Sequence, residues 1–194
     1  DYPVEKRAEI LFKAADIMRT RKFELAAVMV LEEGKPWHEA DGDVSEAIDF
    51  LNYYSIEAKK LFTPEKLISP SGEDNYSFYQ ARGVSAIISP WNFPLAILTG
   101  MASASIICGN TVILKPAKQA SIIAAYLMEI LEEAGLPAGV CNYLPGEGRK
   151  IGNYLVTHKD ISLIEFTGSM EVGLSINKLC ADVKLDEGQK KIKK

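Results

Sequence analysis

The stretch VSAIISPWNFPLAILTG, residues 84–100, decides how this chain folds. Its first half is an unbroken apolar run of strand length, rich in Val and Ile, and its second half continues into helix-forming sequence. Pro90 and Pro94 restrict the backbone between the two, and Pro94 can open a helix without losing a needed hydrogen bond. A strand that turns at once into a helix is half of a crossover unit. Three more such units follow.

TVILKP (111–116), VCNYL (140–144) and ISLIEF (161–166) are apolar strand candidates, each followed by a Gly- or Pro-containing turn. Helices are expected near 95–108, 121–134, 147–156 and 170–180. Strands alternating with helices at this interval predict an α/β fold, a mostly parallel sheet joined by right-handed crossovers. Helices on both faces explain why the strands are continuously apolar.

Upstream, Val4, Ala8, Leu11, Ala15 and Met18 recur at three- and four-residue spacing, with a second apolar set through Leu25, Val28 and Leu31. EEGKP then supplies a glycine stop and a proline. A further amphipathic helix is expected from about Asp43 to Leu61. TPEKLISPSGEDNYS (63–77) is dominated by Pro, Gly, Ser and acid, and reads as a crossover or hairpin. VKLDEGQKKIK, near the end, reads as a turn between extended arms. The expected divisions are an N-terminal helical part (1–62), a connector (63–83), a strand-and-helix core (84–180) and an extended tail (181–194).

Composition narrows the function. The chain has 194 residues, 47% hydrophobic and 25% charged, with 22 basic against 26 acidic residues. That balance predicts no nucleic-acid footprint, and no apolar run reaches membrane-spanning length. Cys108, Cys141 and Cys180 lack metal-ligand spacing and suit a reducing, intracellular compartment. Two histidines are too few for a histidine-rich metal centre.

Open parallel sheets bind ligands beyond the carboxyl ends of their strands. In EFTGSMEVG (165–173), Gly168 permits a tight turn, Ser169 can cap the next helix and Gly173 permits close backbone approach; the loop fits either a phosphate site or a plain helix cap. LPGEGRKIG (144–152) lacks the lysine and serine of a P-loop, which disfavours ATP chemistry. Lys115 ends a buried strand, so it either snorkels to solvent or reaches a partner at the rim. Trp91 and Phe93 can wedge their loop against apolar neighbours. Asn92, between them, is either a turn former or a donor to a developing oxyanion.

ISPWNFPL, GNTVILKPA, EEAGLPAGVCNYLPG and IEFTGSMEVG, in this order and spacing, resemble the aldehyde dehydrogenase superfamily, and LEEGKPWHEADGDVSEAIDFLNYY fits as well. GKPWHEAD looks most like the branch acting on glutamate γ-semialdehyde. The resemblance implies a Rossmann-like NAD-binding core over 84–180 and an enzyme that oxidises an aldehyde to an acid. It implies that Asn92 helps form the oxyanion hole and that Lys115 contacts the adenosine ribose. Ser169, with Gly168 and Gly173, would hold the pyrophosphate, and Pro90 and Trp91 would lie beside the coenzyme. Lys118 departs from the pattern, which often has an acid there; NAD is expected, with NADP open. The cysteine nucleophile and the assisting glutamate of the family have no counterpart in these 194 residues, so the chain is expected to be an inactive portion of a cytoplasmic, homo-oligomeric enzyme. The alternative is a noncatalytic nucleotide-binding or interaction module.

Overall fold

A computed structural model describes residues 2–181, and the tail expected from 182 onward lies outside them. Three helices lead: α1 (Val4–Thr20), α2 (Lys22–Glu33) and α3 (Trp37–Leu61). Gly34, with φ 70°, closes α2 in the left-handed conformation that EEGKP foretold, and its N–H bonds the Val30 carbonyl at 3.1 Å. The third helix starts at Trp37, six residues before the expected Asp43. Asp43 and Gly42 look like a helix start, yet both lie inside α3, because the Asp43 side chain caps a different helix.

A two-residue antiparallel hairpin, β1 (Glu65–Lys66) with β2 (Tyr76–Ser77), occupies the connector. Beyond it come β3 (Val84–Ile88), α4 (Ala96–Ile107), β4 (Thr111–Lys115), α5 (Ser121–Ala134), β5 (Cys141–Tyr143), α6 (Asn153–Thr157), β6 (Ile161–Phe166) and α7 (Met170–Ala181). The segment expected as one helix at 147–156 is a wide π turn, Gly148–Gly152, followed by short α6. The four core strands are all parallel, in the order β5-β4-β3-β6.

Alternation along each strand sends side chains to two cores. Ile87, Val112 and Leu114 join α4, α5 and the α1–α3 layer in one continuous apolar cluster that includes Leu11, Met18, Leu25, Met29 and Leu51. Ala86, with Val84, Ile88 and Ile113, packs on the opposite face around Leu155 and Ile161. Full burial of each large side chain contributes about 1.5–3 kcal/mol. Polar ties fix the layers' register. Arg7 Nε donates to the Ile107 carbonyl at 2.7 Å, joining α1 to the end of α4. Asn110 Oδ1 accepts from the N–H groups of Arg82 (2.8 Å) and Gly83 (3.1 Å), and so ties the entrance of β3 to that of β4.

The strand order has a functional consequence. The chain runs outward from β3 through β4 to β5, then returns to place β6 on the other side of β3. The switch point lies between β3 and β6, where such sheets open a crevice beyond their carboxyl ends.

Candidate coenzyme and oxyanion site

Ile88 pairs with Lys115 on one side and Phe166 on the other, so three strands end level. The loops that follow carry the candidate residues. Asn92 lies four residues beyond the end of β3, Lys115 closes β4, and Ser169 lies three residues beyond the end of β6. The Thr167 N–H bonds the Ile88 carbonyl at 3.1 Å, holding the mouth of the β6 loop against β3.

Pro94 behaves as expected: the Ile97 N–H bonds the Phe93 carbonyl at 3.3 Å, so the helical turn begins at Pro94. The wedge does not form. Trp91 is 58% exposed and Phe93 42% exposed, and the Phe93 ring instead receives the Lys35 ammonium 4.2 Å from its centre. Asn92 is exposed, and no described residue hydrogen-bonds its side-chain amide. Pro90 is half-buried beside it. Between strand and loop, the Ser89 hydroxyl is buried without a partner.

Lys115 does not snorkel. It is only 5% exposed, donates to the Pro116 carbonyl at 2.9 Å and pairs with no carboxylate among the described residues. Burial pushes its ammonium down from the usual range. Gly148 passes just above: a Cβ there would meet Lys115 Nζ at 3.9 Å. Beside it, Lys118 Nζ lies 3.8 Å from Glu147 Oε1.

Gly168 in the loop and Gly173 in the first turns of α7 are placed for a reason other than turn conformation. Neither adopts positive φ. A Cβ on Gly168 would stand 2.7 Å from Phe166 Cζ, and one on Gly173 3.2 Å from Cε1, so both lie flush against the Phe166 ring. Ser169 makes a long contact with the Val172 N–H at 3.4 Å.

The helix N-termini at the rim differ. Helix starts attract anions because their first N–H groups are unpaired and the dipole is positive there. At α5 both Glu32 oxygens accept, from the N–H groups of Ile122 (2.7 Å) and Ile123 (2.9 Å). At α4, Asp43 Oδ1 accepts from the Ala96 N–H at 2.6 Å. Each of those helices lacks a cap from its own N-cap side chain. The first turn of α7 has no carboxylate from elsewhere among its described hydrogen-bond partners; its Val172 N–H meets the Ser169 hydroxyl instead.

Sequence patterns gave no sign of this α2–α3 link. Lys35 Nζ and Asp43 Oδ2 form an ion pair at 2.7 Å, with side chains 6% and 0% exposed. Burial pushes the Asp43 carboxyl up; the Lys35 ammonium and the Ala96 and Leu95 N–H groups pull it back. Both Glu33 carboxyl oxygens are buried without a partner. Burial, then Glu32 and Asp43, push this acid up to about 8 against the opposing Lys35. The only available signal was an acid-rich segment flanking GKP, which a solvated helix face also produces.

Neither Cys108 nor Cys141 is poised as a nucleophile. Burial raises Cys108 and pushes Cys141 to about 12, while Cys180 is half-buried on α7. A cleft of about 720 Å³ lies at the other end of the sheet, lined by Arg7, Phe62, Tyr79, Cys108 and Asn110. Its position at the strand starts, around Thr111, separates it from the rim.

The parallel sheet, with a switch-point crevice beyond its strand ends and a buried lysine at the rim, is an α/β core of coenzyme-domain type, and the chain belongs to the aldehyde dehydrogenase family, whose model matches residues 1–190. It is 52% identical over 179 residues to 1-pyrroline-5-carboxylate dehydrogenase of Geobacillus sp. (strain WCH70), covering 92% of this chain and 35% of that protein. The Bacillus subtilis (strain 168) enzyme of the same name is 50% identical over 190 residues, covering 98% and 36%. A Thermus 1-pyrroline-5-carboxylate dehydrogenase crystallised with bound NAD superposes with TM-score 0.95 at 48% identity, over 100% of this chain and 37% of that one. Proline utilization A from Bdellovibrio bacteriovorus also reaches 0.95, at 49% identity, over 100% of this chain and 20% of its own. The chain thus spans about a third of the length of these curated relatives.

Proposed function

We propose that the protein carrying this chain oxidises L-glutamate γ-semialdehyde, the open form of 1-pyrroline-5-carboxylate, to L-glutamate with NAD. The observation that carries the reading is the convergence of the Asn92, Lys115 and Ser169 loops on one rim, flanking the sheet's switch point. High identity to dehydrogenases of that name supports the substrate. A cytoplasmic site and a homo-oligomeric state belong to the same proposal and rest on the family likeness; no described helix is long and apolar enough to cross a membrane.

The rim residues fit a dinucleotide. Ser169 and the first-turn N–H groups of α7 would hold the pyrophosphate, with Gly168 and Gly173 keeping the backbone accessible. Lys115, a buried ammonium without a carboxylate, would donate to the adenosine ribose. Pro90 and Trp91 would line the coenzyme's path. When bound, NAD accepts the hydride lost by the substrate carbon. Asn92 offers two N–H donors to the aldehyde oxygen as negative charge develops there. The thiolate is assigned to the remainder of the protein, because the raised thiols of Cys108 and Cys141 stay protonated near neutrality.

Glu147 bears on coenzyme choice. Lys118 stands where many family members have an acid, yet Glu147 supplies a carboxylate 3.8 Å from it. That favours the free ribose hydroxyls of NAD over the 2'-phosphate of NADP, which remains the second reading.

The test is NADH formation from glutamate γ-semialdehyde by the full-length protein, with NAD binding titrated separately. Asn92→Ala is expected to lower turnover by roughly 3 kcal/mol, about 100-fold, with little change in NAD affinity. Undiminished turnover would reject the role of Asn92. NAD binding with no NADH formation from the semialdehyde would favour the noncatalytic nucleotide-binding module.

A further inference from the structure

The tip of the loop carrying Asn92 has little packing of its own, although Pro94 and Leu95 behind it are buried. Trp91, Asn92 and Phe93 are all exposed, and the Asn92 amide has no described partner. An oxyanion donor is effective only when its N–H groups are already held where charge will develop. The support therefore comes from another element.

That element is the α2–α3 link. Lys35 Nζ donates to the Asn92 backbone carbonyl at 2.7 Å and to Asp43 Oδ2 at 2.7 Å, with the Phe93 ring 4.2 Å away. Asp43 Oδ1 grips the Ala96 N–H at 2.6 Å. Fixing the carbonyl of residue 92 fixes the 92–93 peptide plane, and with it the position of the Asn92 Cα from which the side-chain amide projects. With the Ala96 N–H held as well, the loop is pinned at its middle and where it enters α4.

We propose that Lys35 and Asp43 are positioning residues for Asn92, a buried ion pair that clamps the oxyanion loop to the helical layer. The inference rests on the role given to Asn92 above. Stability alone does not account for the arrangement. Asp43 by itself supplies the cap on α4, yet Lys35 adds contacts specifically to residues 92 and 93, and the resulting buried pair is costly to break.

The experiment compares Lys35→Met, Asn92→Ala and the double variant in the full-length protein, using glutamate γ-semialdehyde turnover and calorimetric NAD titration. Lys35→Met is expected to lower kcat about 10- to 100-fold through misplacement of the donor, with NAD affinity little changed. In the Asn92→Ala background the same substitution should cost less than about threefold, because the group it positions is gone. Equal losses in the two backgrounds would overturn the proposal, as would an undiminished kcat in Lys35→Met while Asn92→Ala is impaired. If Asn92→Ala itself turns over normally, the oxyanion assignment fails first and takes the clamp with it. Asp43→Asn keeps an oxygen for the Ala96 N–H, so it carries the same comparison should Lys35→Met not fold. It is expected to show the same background-dependent loss, and a loss independent of Asn92 would overturn the clamp.

Discussion

At the scale of single residues, Phe166 explains two glycines at once. Its ring approaches both, the Cζ edge at Gly168 and the Cε1 edge at Gly173, and leaves room for a side chain at neither. Gly168→Ala is expected to destabilise the protein by about 1–3 kcal/mol through overpacking. Denaturant unfolding measures that loss, and Phe166→Leu in the same chain should recover much of it by removing the ring edge. A loss untouched by the second substitution would place the strain elsewhere. Both glycines stood out in the sequence, Gly168 for a tight turn and Gly173 for close backbone approach, but the ring they both meet did not, because a contact between a ring and a backbone leaves no periodic trace.

Among the elements, the strands were legible and the caps were not. Each apolar run became a parallel strand within a residue or two, since buried strands need continuous Val, Ile and Leu. Helix α3 was placed six residues late because Asp43 carries a capping signal addressed to α4. Glu32 does the same for α5, and a cap delivered from a distant element follows no local spacing rule. Glu32→Ala leaves two N–H groups of α5 without their acceptor, and is expected to cost about 1–2 kcal/mol in chemical denaturation. Glu32→Gln, which keeps one acceptor oxygen, should cost less. The placement of Asn92, Lys115 and Ser169 at or just beyond strand ends was equally legible, whereas Lys35 was hidden because its partners lie 8 and 57 positions away.

For the whole molecule, Glu33 sets a pH dependence of stability. The acid has an ordinary value of 4.5 and is pushed up to about 8 in the fold, so between these values the folded chain holds a proton that the unfolded chain has released. Its contribution is therefore fully present below the lower value and is lost as pH rises through the upper one. Glu33→Gln keeps the neutral form at every pH. Thermal unfolding should show this variant more stable than the parent near pH 9, with the advantage fading toward pH 5. A constant offset across that range would assign the effect to packing instead.

The link between α2 and α3 joins places that are far apart in the chain. Its acids bind the amide hydrogens of Ala96, Ile122 and Ile123, at the starts of two different helices. Such hydrogens ordinarily exchange with solvent early, through fraying of a first turn. Here each is bonded to a side chain from the same short segment, so exchange at each requires a bond from that segment to break. If the segment lifts as a unit, they are expected to become accessible together, in an opening that also frees the carbonyl of Asn92. Deuterium uptake at these sites would then follow one shared rate, making the start of α4 and the start of α5 behave as a single unit.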